Sequence, residues 1–562
     1  MPSSPRKLPR IARWARSLLA IFLLGSFAAG CSVEESAADV VIYGATPAGI
    51  MAATAASDRG RSVIVVEPSA HVGGMVGSGL SATDYWGGLY IAGPVREFFE
   101  TLGRHYGLPG PAWTHEPKVA ISLFRDQLSS RGIRLVTKAP LKDVAKEAGT
   151  IRSLRTARGT FQAAVFVDAT YEGDLLAAAG GDFTVGRESR EQYGEPEAGI
   201  RRAARRACPY CSEPIDAFGA DGKPLPMVEQ PDPSPDGTAD DRVMNYNFRL
   251  CLTNRPANRV PIPEPEHYDP EYFEFFSRIA AALPRASVKE AVKTGRNYLP
   301  KREVRSAYFN MVGLPNGKYD LNSGSVFLLE FPGGSHDWPR AGPKERDELY
   351  ALHKQYTLQY FKWMRTHPSV PSAIKSYIGS FGLCADEWPE HGHWPPLLYV
   401  REARRMLSDY VLTGRDILGR KEFPDAVLLG FSPLDSKSTR LVAVNNLAVH
   451  DGSIYKVTPA FQIPYRAITP KRGTLSNLLV PVAISASHVA YSAARMEPVL
   501  MGLGLAAGEA AALVVEQDQP VQDIPVAVLK RRIRATGQLI EQAQRSPSGG
   551  QGARMKGQRL AK

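Results

Sequence analysis

The sequence predicts an α/β fold with a central, mostly parallel sheet, in which an inserted α+β region splits a dinucleotide-binding domain. Residues 39–67 have the pattern of a strand, a glycine turn, a helix and a second strand, which is a β-α-β unit. Residues 460–540 contain a strand and then a long helix rich in small residues, which would complete the same domain. We therefore expect one sheet to be built from both ends of the chain.

The turn in the first unit reads Gly44-Ala-Thr-Pro-Ala-Gly49, with Thr46 in place of the usual middle glycine. Gly44 can adopt the backbone angles of a sharp turn, and Gly49 lets the helix and strand pack closely. Pro47 suits the first helical turn, whose unpaired N–H groups and dipole favour a pyrophosphate. Glu67 ends the second strand, where a carboxylate binds ribose hydroxyls and would repel a 2′-phosphate. The alternative is a β-α-β unit that binds no ligand.

A double glycine follows this acid, in His71-Val-Gly73-Gly74-Met75. Domains that bind only NAD do not need such a loop, whereas two-dinucleotide flavoproteins commonly place one against the pyrophosphate and the flavin. The pattern therefore favours FAD and a two-dinucleotide-binding, Rossmann-like domain. The residues predicted to bind the cofactor in these two loops are Gly44, Thr46, Pro47, Ala48, Gly49, Glu67, Gly73, Gly74 and Met75.

Several longer motifs carry a resemblance to a known family. They span residues 43–50, 67–75, 79–84, 168–175, 246–251, 314–320, 399–405 and 485–498. Over residues 38–540 the chain resembles the bacterial FAD-dependent oxidoreductases that are grouped with the flavin subunit of heterodisulfide reductase. The resemblance implies that Asp168, at the end of a buried strand, returns to the cofactor. Some relatives bind an iron–sulfur cluster, but no cysteine quartet is present here.

The segment between the final strand and the final helix is predicted to surround the reactive face of the flavin. His488 has an unperturbed pKa suited to proton transfer, and Arg495 could stabilise the reduced flavin or bind an acidic substrate. Met496 and Glu497 are predicted to contact the cofactor where the final helix begins. The alternative is that His488 packs in the core and hydrogen-bonds the backbone. If His488 instead helps to hold the cofactor, the base is to be sought among Asp84, Asp386 and Glu387.

The inserted region is predicted to carry the substrate site. Residues 343–366 have apolar side chains at helical spacing and are predicted to form an amphipathic helix. Residues 399–410 are also predicted to be helical, with arginines that form salt bridges or hold a carboxylate. His391 and His393 beside two acids are weak evidence for a metal, and no metal site is predicted. The charged residues of the second helix are Arg401, Glu402, Arg404 and Arg405.

Residues 1–30 have the pattern of a lipoprotein-type signal peptide. They carry five basic residues and no acid, followed by an apolar stretch too short for a stable membrane anchor. The stretch ends in Ala28-Ala-Gly30-Cys31, which resembles a site of cleavage before a lipidated Cys31. We expect export to the bacterial cell envelope and a lipid anchor in the membrane. The alternatives are an ordinary secretory signal and an uncleaved anchor.

The net charge of +11 gives no evidence for nucleic acid binding, because removing the five cations of residues 1–30 leaves +6. Cys208 and Cys211 form a C-x-x-C motif that could be a structural disulfide, half of a metal site or a pair of free thiols. The predicted divisions are residues 1–30, signal peptide; 38–185, first part of the FAD domain; 186–459, inserted region; 460–540, second part of the FAD domain; and 545–562, disordered tail.

Together these features predict an FAD-dependent oxidoreductase that transfers a hydride from a small organic substrate to FAD outside the cytoplasm. The substrate is unidentified, with a carbohydrate or an acid the class we favour, and the electron acceptor is unknown. The alternative is a lipid-anchored binding protein that keeps the flavin fold without redox turnover.

Overall fold

A computed structural model describes residues 35–85, 88–202, 207–208, 211, 213–283, 308–323 and 326–542. The predicted signal peptide and Cys31 lie outside the described residues, as does the predicted disordered tail. The strands are β1 Glu35–Tyr43, β2 Val63–Val66, β3 Arg134–Val136, β4 Leu141–Glu147, β5 Thr150–Thr156, β6 Gly159–Asp168, β7 Phe183–Thr184, β8 Val228–Glu229, β9 Leu250–Thr253, β10 Arg259–Val260, β11 Asn310–Leu314, β12 Lys318–Asn322, β13 Gly382–Cys384, β14 Arg405–Met406, β15 Ala426–Gly430, β16 Leu434–Ser436, β17 Arg440–Val444, β18 Leu447–Asp451, β19 Ile454–Lys456, β20 Phe461–Pro464 and β21 Leu478–Leu479. The α-helices are α1 Pro47–Asp58, α2 Gly74–Gly77, α3 Gly93–His105, α4 Pro117–Ser129, α5 Asp174–Ala178, α6 Arg190–Tyr193, α7 Glu274–Ala282, α8 Pro343–Thr366, α9 Ser372–Gly379, α10 Gly414–Leu418, α11 His488–Ala494, α12 Glu497–Gln517 and α13 Val526–Ala535.

The central sheet has the strand order β3-β2-β1-β6-β5-β4, with β21 also paired to β6. The pairs β1–β2, β1–β6, β2–β3 and β21–β6 are parallel, whereas β4–β5 and β5–β6 are antiparallel. The fold is therefore α/β with a mostly parallel sheet, as predicted. The short strand β21 brings a segment from near the C-terminus back beside β6.

The close packing of α1 against α12 explains the small residues in both helices. A Cβ atom added to Gly504 would lie 2.1 Å from the Ala48 carbonyl oxygen, and one added to Gly508 would lie 2.2 Å from that of Ala52. Any side chain at either glycine would force the two helices apart. The helix α12 is long and apolar enough to cross a membrane, but 94% of its most apolar window is buried inside the protein, so it is a core helix here.

The inserted region contains an antiparallel sheet of order β10-β13-β9-β12-β11, beside which α8 contributes an aromatic face to the core. The helix predicted for residues 343–366 is confirmed with these bounds. The helix predicted for residues 399–410 is wrong, because this segment is irregular apart from β14, which pairs with β7. Its arginine side chains bond to distant parts of the chain, and these contacts override the helical propensity of the segment.

Candidate functional site

The first glycine turn has the geometry that the sequence predicted. Gly44 has φ = +107°, and a Cβ atom there would lie 2.8 Å from the Ala169 carbonyl carbon. A Cβ atom on Gly49 would lie 2.1 Å from the Gly44 carbonyl oxygen. Thr46 caps α1, since its hydroxyl accepts the Gly49 N–H at 3.1 Å and donates to the Ala169 carbonyl at 2.8 Å. Thr46 therefore caps the helix from the position that the usual middle glycine occupies.

Glu67 lies at the end of β2 and is buried against this turn. Its carboxylate accepts the Ala45 N–H at 2.7 Å, and the N–H and hydroxyl of Ser69 at 2.9 and 2.6 Å. Burial raises the pKa of Glu67 to about 7 although these hydrogen bonds oppose the shift. A carboxylate can accept about four hydrogen bonds, so Glu67 retains capacity for a ribose hydroxyl.

The second glycine loop meets the first turn and the final helix. Gly73 has φ = +91° and donates its N–H to the Ala45 carbonyl at 2.8 Å. A Cβ atom on Gly74 would lie 2.4 Å from the Tyr171 hydroxyl and 2.9 Å from the Pro47 ring.

The Tyr171 hydroxyl accepts the Met75 N–H at 2.9 Å and donates to Glu497 at 2.6 Å. Three predicted cofactor segments, the two glycine loops and the start of α12, therefore converge here. Burial raises the pKa of Glu497 to about 7, and its other carboxylate oxygen has no hydrogen-bond partner among the described residues.

Asp168 lies at the predicted strand end but serves its own loop. One carboxylate oxygen accepts the Thr170 N–H and hydroxyl at 3.0 and 2.7 Å, and the other accepts the Leu176 N–H at 2.8 Å. Asp174, the first residue of α5, pairs with Arg346 and Arg404. A contact between Asp168 and the cofactor stays a prediction, since its side chain is fully buried among these donors.

A cavity of ≈ 650 Å³ opens over the glycine loops, which is a size typical of small-molecule sites. The inserted region forms its opposite wall. Lining residues from the two sides include Gly44, Thr46, Glu67, Gly74, Trp338 and Arg346. The glycines at which a side chain would not fit, the N-terminal end of α1 and, at the Tyr171 junction, the unpaired Glu497 oxygen all fit a bound dinucleotide.

His488 lies outside this lining, in a sealed cluster of charged side chains. Its Nδ1 is 2.9 Å from both Glu402 carboxylate oxygens, and its Nε2 is 3.1 Å from the Ser436 hydroxyl. The series Ser436, His488 and Glu402 has the order of a hydrolase triad, but each side chain is at most 1% exposed. Arg405 ion-pairs with Glu402, and with Glu188 at 2.5 Å. This arrangement is closer to the alternative in which His488 packs in the core, although its partners are side chains rather than the backbone. Catalysis by His488 stays a prediction.

Arg495 lies in a different cluster, centred on Tyr399. Its guanidinium donates to the Tyr399 hydroxyl at 2.9 Å and to the Asp435 carbonyl at 2.8 Å. The guanidinium carbons of Arg401, Arg249 and Arg495 lie 4.3, 5.5 and 5.8 Å from the centre of the Tyr399 ring. The sequence indicated Arg401 and Arg495 separately, but Tyr399 and Arg249 carried no signal beyond their place in two long motifs.

Of the three alternative bases, only Asp84 belongs near this cluster. Asp84 is solvent-accessible, but the surrounding protein raises its pKa, and Arg249 and Arg495 oppose this shift. Such surroundings are expected for a side chain on the wall of a cleft. Asp84 and Met496 line one small pocket together. The backbone N–H of Ala82, two residues earlier, donates to Asp320 at 3.0 Å, and Asp320 pairs with Arg249. The loop after the second glycine pair is therefore attached to the Tyr399 cluster.

Asp386 and Glu387 form a separate acidic cluster with Glu116. The ammonium of Lys318 lies 2.7 Å from Glu116, 2.8 Å from Asp386 and 2.5 Å from Glu387. A cation already occupies the centre of this cluster, which makes it an ion-pair network. His393 bonds through Nδ1 to the Glu387 carbonyl at 3.2 Å. This contact gives the histidine a structural role in the local loop.

Among the three alternatives for the C-x-x-C motif, the structure shows the disulfide, between Cys208 and Cys211. Cys251 and Cys384 are free and buried, and their sulfurs lie 3.1 Å apart across the neighbouring strands β9 and β13. No sequence pattern indicates this second pair, because 133 residues separate its members.

Comparison with known proteins identifies the family. A sequence model of the family described as FAD dependent oxidoreductase matches residues 39–533. No curated protein matches the chain.

Solved structures match only in part. A thioredoxin reductase from T. acidophilum is 20% identical over 24% of this chain and 34% of its own, with a TM-score of 0.17. A 3-ketosteroid-Δ4-(5α)-dehydrogenase from Rhodococcus jostii RHA1 is 14% identical over 26% of this chain and 48% of its own, with a TM-score of 0.18. THI4 from Thermovibrio ammonificans is 19% identical over 27% of this chain and 66% of its own, with a TM-score of 0.21. The chain thus spans less than two thirds of each of these structures.

Proposed function

Because this chain belongs to the FAD-dependent oxidoreductase family, we propose that it transfers a hydride from a small organic substrate to FAD near the Tyr399 cluster. The chain is an oxidoreductase and FAD is its cofactor. When bound, FAD supplies the hydride-accepting chemistry, and the protein supplies binding, orientation and electrostatics. A carbohydrate or an acid is the substrate class we favour, with an external electron acceptor.

One observation carries this proposal: the junction at Tyr171. Its hydroxyl joins the Met75 N–H of the second glycine loop to Glu497 in the first turn of α12. The N-terminal end of this 21-residue helix carries a partial positive charge, which favours the negative charge of a reduced flavin.

Within the cleft, we assign proton transfer to Asp84. Hydride loss from an alcohol or a sugar leaves a proton that a base must take. Asp84 is accessible, unlike His488, and its raised pKa brings it closer to the value that suits a general base. The positive charges of Arg249 and Arg495 favour the ionised form of Asp84, which is the form that accepts a proton.

The proposal is tested by anaerobic mixing of the purified, FAD-loaded protein with a panel of alcohols, sugars and carboxylic acids. We expect at least one donor to bleach the flavin absorbance, and Asp84→Asn to keep FAD but slow this reduction about 10²–10⁴-fold. The matched control is Asp386→Asn, which lies in the Lys318 network and should reduce normally. If photochemically reducible FAD is present but no donor reduces it, the protein is the binding protein of the alternative hypothesis.

We also propose that the mature protein starts at a lipidated Cys31 and acts at the outer face of a bacterial membrane. The basic segment, the apolar stretch and Ala28-Ala-Gly30-Cys31 support this location. Cys31→Ser should abolish acyl labelling and release the protein from the membrane fraction. Recovery of intact residues 1–30 from the mature protein would refute the proposal.

A further inference from the structure

The Tyr399 cluster contains two buried guanidinium groups that are incompletely paired with protein carboxylates. Arg401 is 1% exposed and Arg495 is 5% exposed. The Nε atom of each has no hydrogen-bond partner among the described residues. Because a buried charge is costly unless it is paired and hydrogen-bonded, this feature calls for an explanation.

Arg401 is held only by neutral groups. It donates to the Asn245 carbonyl at 2.6 Å, to the Asn247 side chain, and to the Ser323 hydroxyl at 3.0 Å. Within the described chain, no carboxylate lies within the 4.0 Å of an ion pair, although Glu330 and Asp435 lie farther off. Burial lowers the pKa of Arg401 to about 10, as expected for a cation that lacks a counter-ion.

Arg495 is nearly as poorly neutralised. The Asp435 carboxylate is 3.8 Å from its guanidinium, and that carboxylate is shared with Lys437 at 3.6 Å. By contrast, Arg249 in the same cluster forms a two-bond ion pair with Asp320. Arg249 is thereby satisfied by the protein, while Arg401 and Arg495 keep binding capacity.

Two acids beside the cluster are accessible to solvent, and the cluster is close in sequence to two predicted cofactor segments. Asp84 is exposed, and the side chain of Asp435 is 25% exposed. Arg495 lies two residues before Glu497 of the Tyr171 junction, and Asp84 follows the second glycine loop. A ligand held here would therefore lie beside the cofactor loops, with its charged end against the arginines.

We propose that Arg401 and Arg495 bind the carboxylate of the substrate, which is a small organic acid such as a sugar acid. The planar guanidinium fork matches the geometry of a carboxylate, and the Tyr399 ring keeps both forks in place by stacking. That the bound acid is also the hydride donor rests on the proposed function. Binding of a carboxylate by this cluster does not depend on it.

The test is calorimetric titration of the FAD-loaded protein with two matched probe pairs: benzoate against benzamide, and glucuronate against glucose. We expect at least one carboxylate to bind and its neutral partner to bind about tenfold more weakly or not at all. Arg401→Gln and Arg495→Gln should each weaken carboxylate binding about tenfold or more while FAD stays bound. Arg365→Gln is the control, because Arg365 on α8 is another arginine whose pKa is lowered by burial. The protein that carries this substitution should bind the probe normally.

Equal binding of the acid and its neutral partner, or unchanged carboxylate affinity in both arginine variants, would overturn the proposal. If the variants instead change only the reduction potential of the flavin, the arginines serve the reduced cofactor and the proposal is equally overturned. If carboxylates bind through Arg401 but no donor reduces the flavin, the anion site stands and the proposed function fails.

Discussion

Arg401 and Arg405 lie four residues apart in one segment and are both buried, but their surroundings differ. Arg405 pairs with Glu402 and with Glu188, and also donates to the carbonyls of Gly186 and Ala486. Arg401 bonds only to neutral acceptors. Arg405 therefore belongs to a charge cluster that the protein closes by itself, whereas Arg401 belongs to one that a ligand can complete.

This difference teaches that burial and charge alone do not indicate a binding residue. The closed cluster holds acids that match its cations, and His488 is part of it. In the open cluster at Tyr399 only Arg249 has a two-bond ion pair, with Asp320, while Arg495 has one long ion pair and Arg401 has none among the described residues. Counting the partners of each buried charge separates structural arginines from candidate ligand-binding arginines more sharply than their spacing in the sequence does.

The largest expected effect follows from opening the closed cluster. Arg405→Met leaves Glu188 buried without its cation and Glu402 with His488 as its remaining partner, and breaking a buried pair in this way costs about 3–5 kcal/mol. We expect the free energy of unfolding, measured by urea denaturation, to fall by this amount. The matched variant Arg401→Met leaves no carboxylate unpaired and should cost about 1–2 kcal/mol through its lost hydrogen bonds. Equal losses in the two variants would contradict the comparison.

The second prediction concerns His488, which is the catalytic candidate from the sequence. His488→Gln disrupts the bonds to Glu402 and Ser436, and we expect a loss of about 1–3 kcal/mol in stability. If His488 is structural, stopped-flow reduction of the flavin by a donor changes only a few-fold. A loss of about 10²–10⁴-fold with stability retained would restore His488 as the base.

Much of the fold could be predicted, because local rules determine it. The first turn follows from glycines at positions that admit no side chain, and α8 follows from its apolar spacing and flanking prolines. The β-α-β unit is a continuous segment, so its strands and helix are all visible in one stretch of sequence.

The site was less predictable because its members come from distant segments. The Arg-Glu-Ala-Arg-Arg sequence at residues 401–405 has good helical propensity, but contacts with Asn245 and Glu188 hold it in a non-helical conformation. The role of Tyr399 depends on three arginines from separate parts of the chain. Whether a buried charge is paired is a tertiary property, and no single motif encodes it.

The third prediction extends the comparison to two buried acids. Arg405 and His488 outweigh the effect of burial and lower the pKa of Glu402, whereas Glu497 has no cation and burial raises its pKa to about 7. A carboxyl whose folded-state pKa exceeds its unfolded value stabilises the fold below that unfolded value, and this contribution is lost as pH rises through about 7. In the FAD-free protein, ionisation of Glu497 should therefore lower the free energy of unfolding by about 1 kcal/mol between pH 6 and pH 8.

Urea denaturation at these two pH values checks this slope. Glu497→Gln, which cannot titrate, should reduce the difference by about 1 kcal/mol. The control is Glu516→Gln, since the hydrogen bond from Arg532 lowers the pKa of Glu516 and places its titration below this window. An unchanged slope in Glu497→Gln would show that this carboxyl is already ionised at pH 6.

The smallest expected effect comes from an ion pair at the surface. Arg532 on α13 lies 2.5 Å from Glu516 on α12, with both side chains partly exposed to solvent. Water screens such a pair and solvates either partner when the other is removed, so its net contribution is within about 0–1 kcal/mol. Arg532→Met should therefore change the free energy of unfolding by about 0.5 kcal/mol or less in the same urea experiment. The substitution is chemically identical to Arg405→Met. A similar loss in the free energy of unfolding at both positions would show that burial and pairing do not explain the structural role of Arg405.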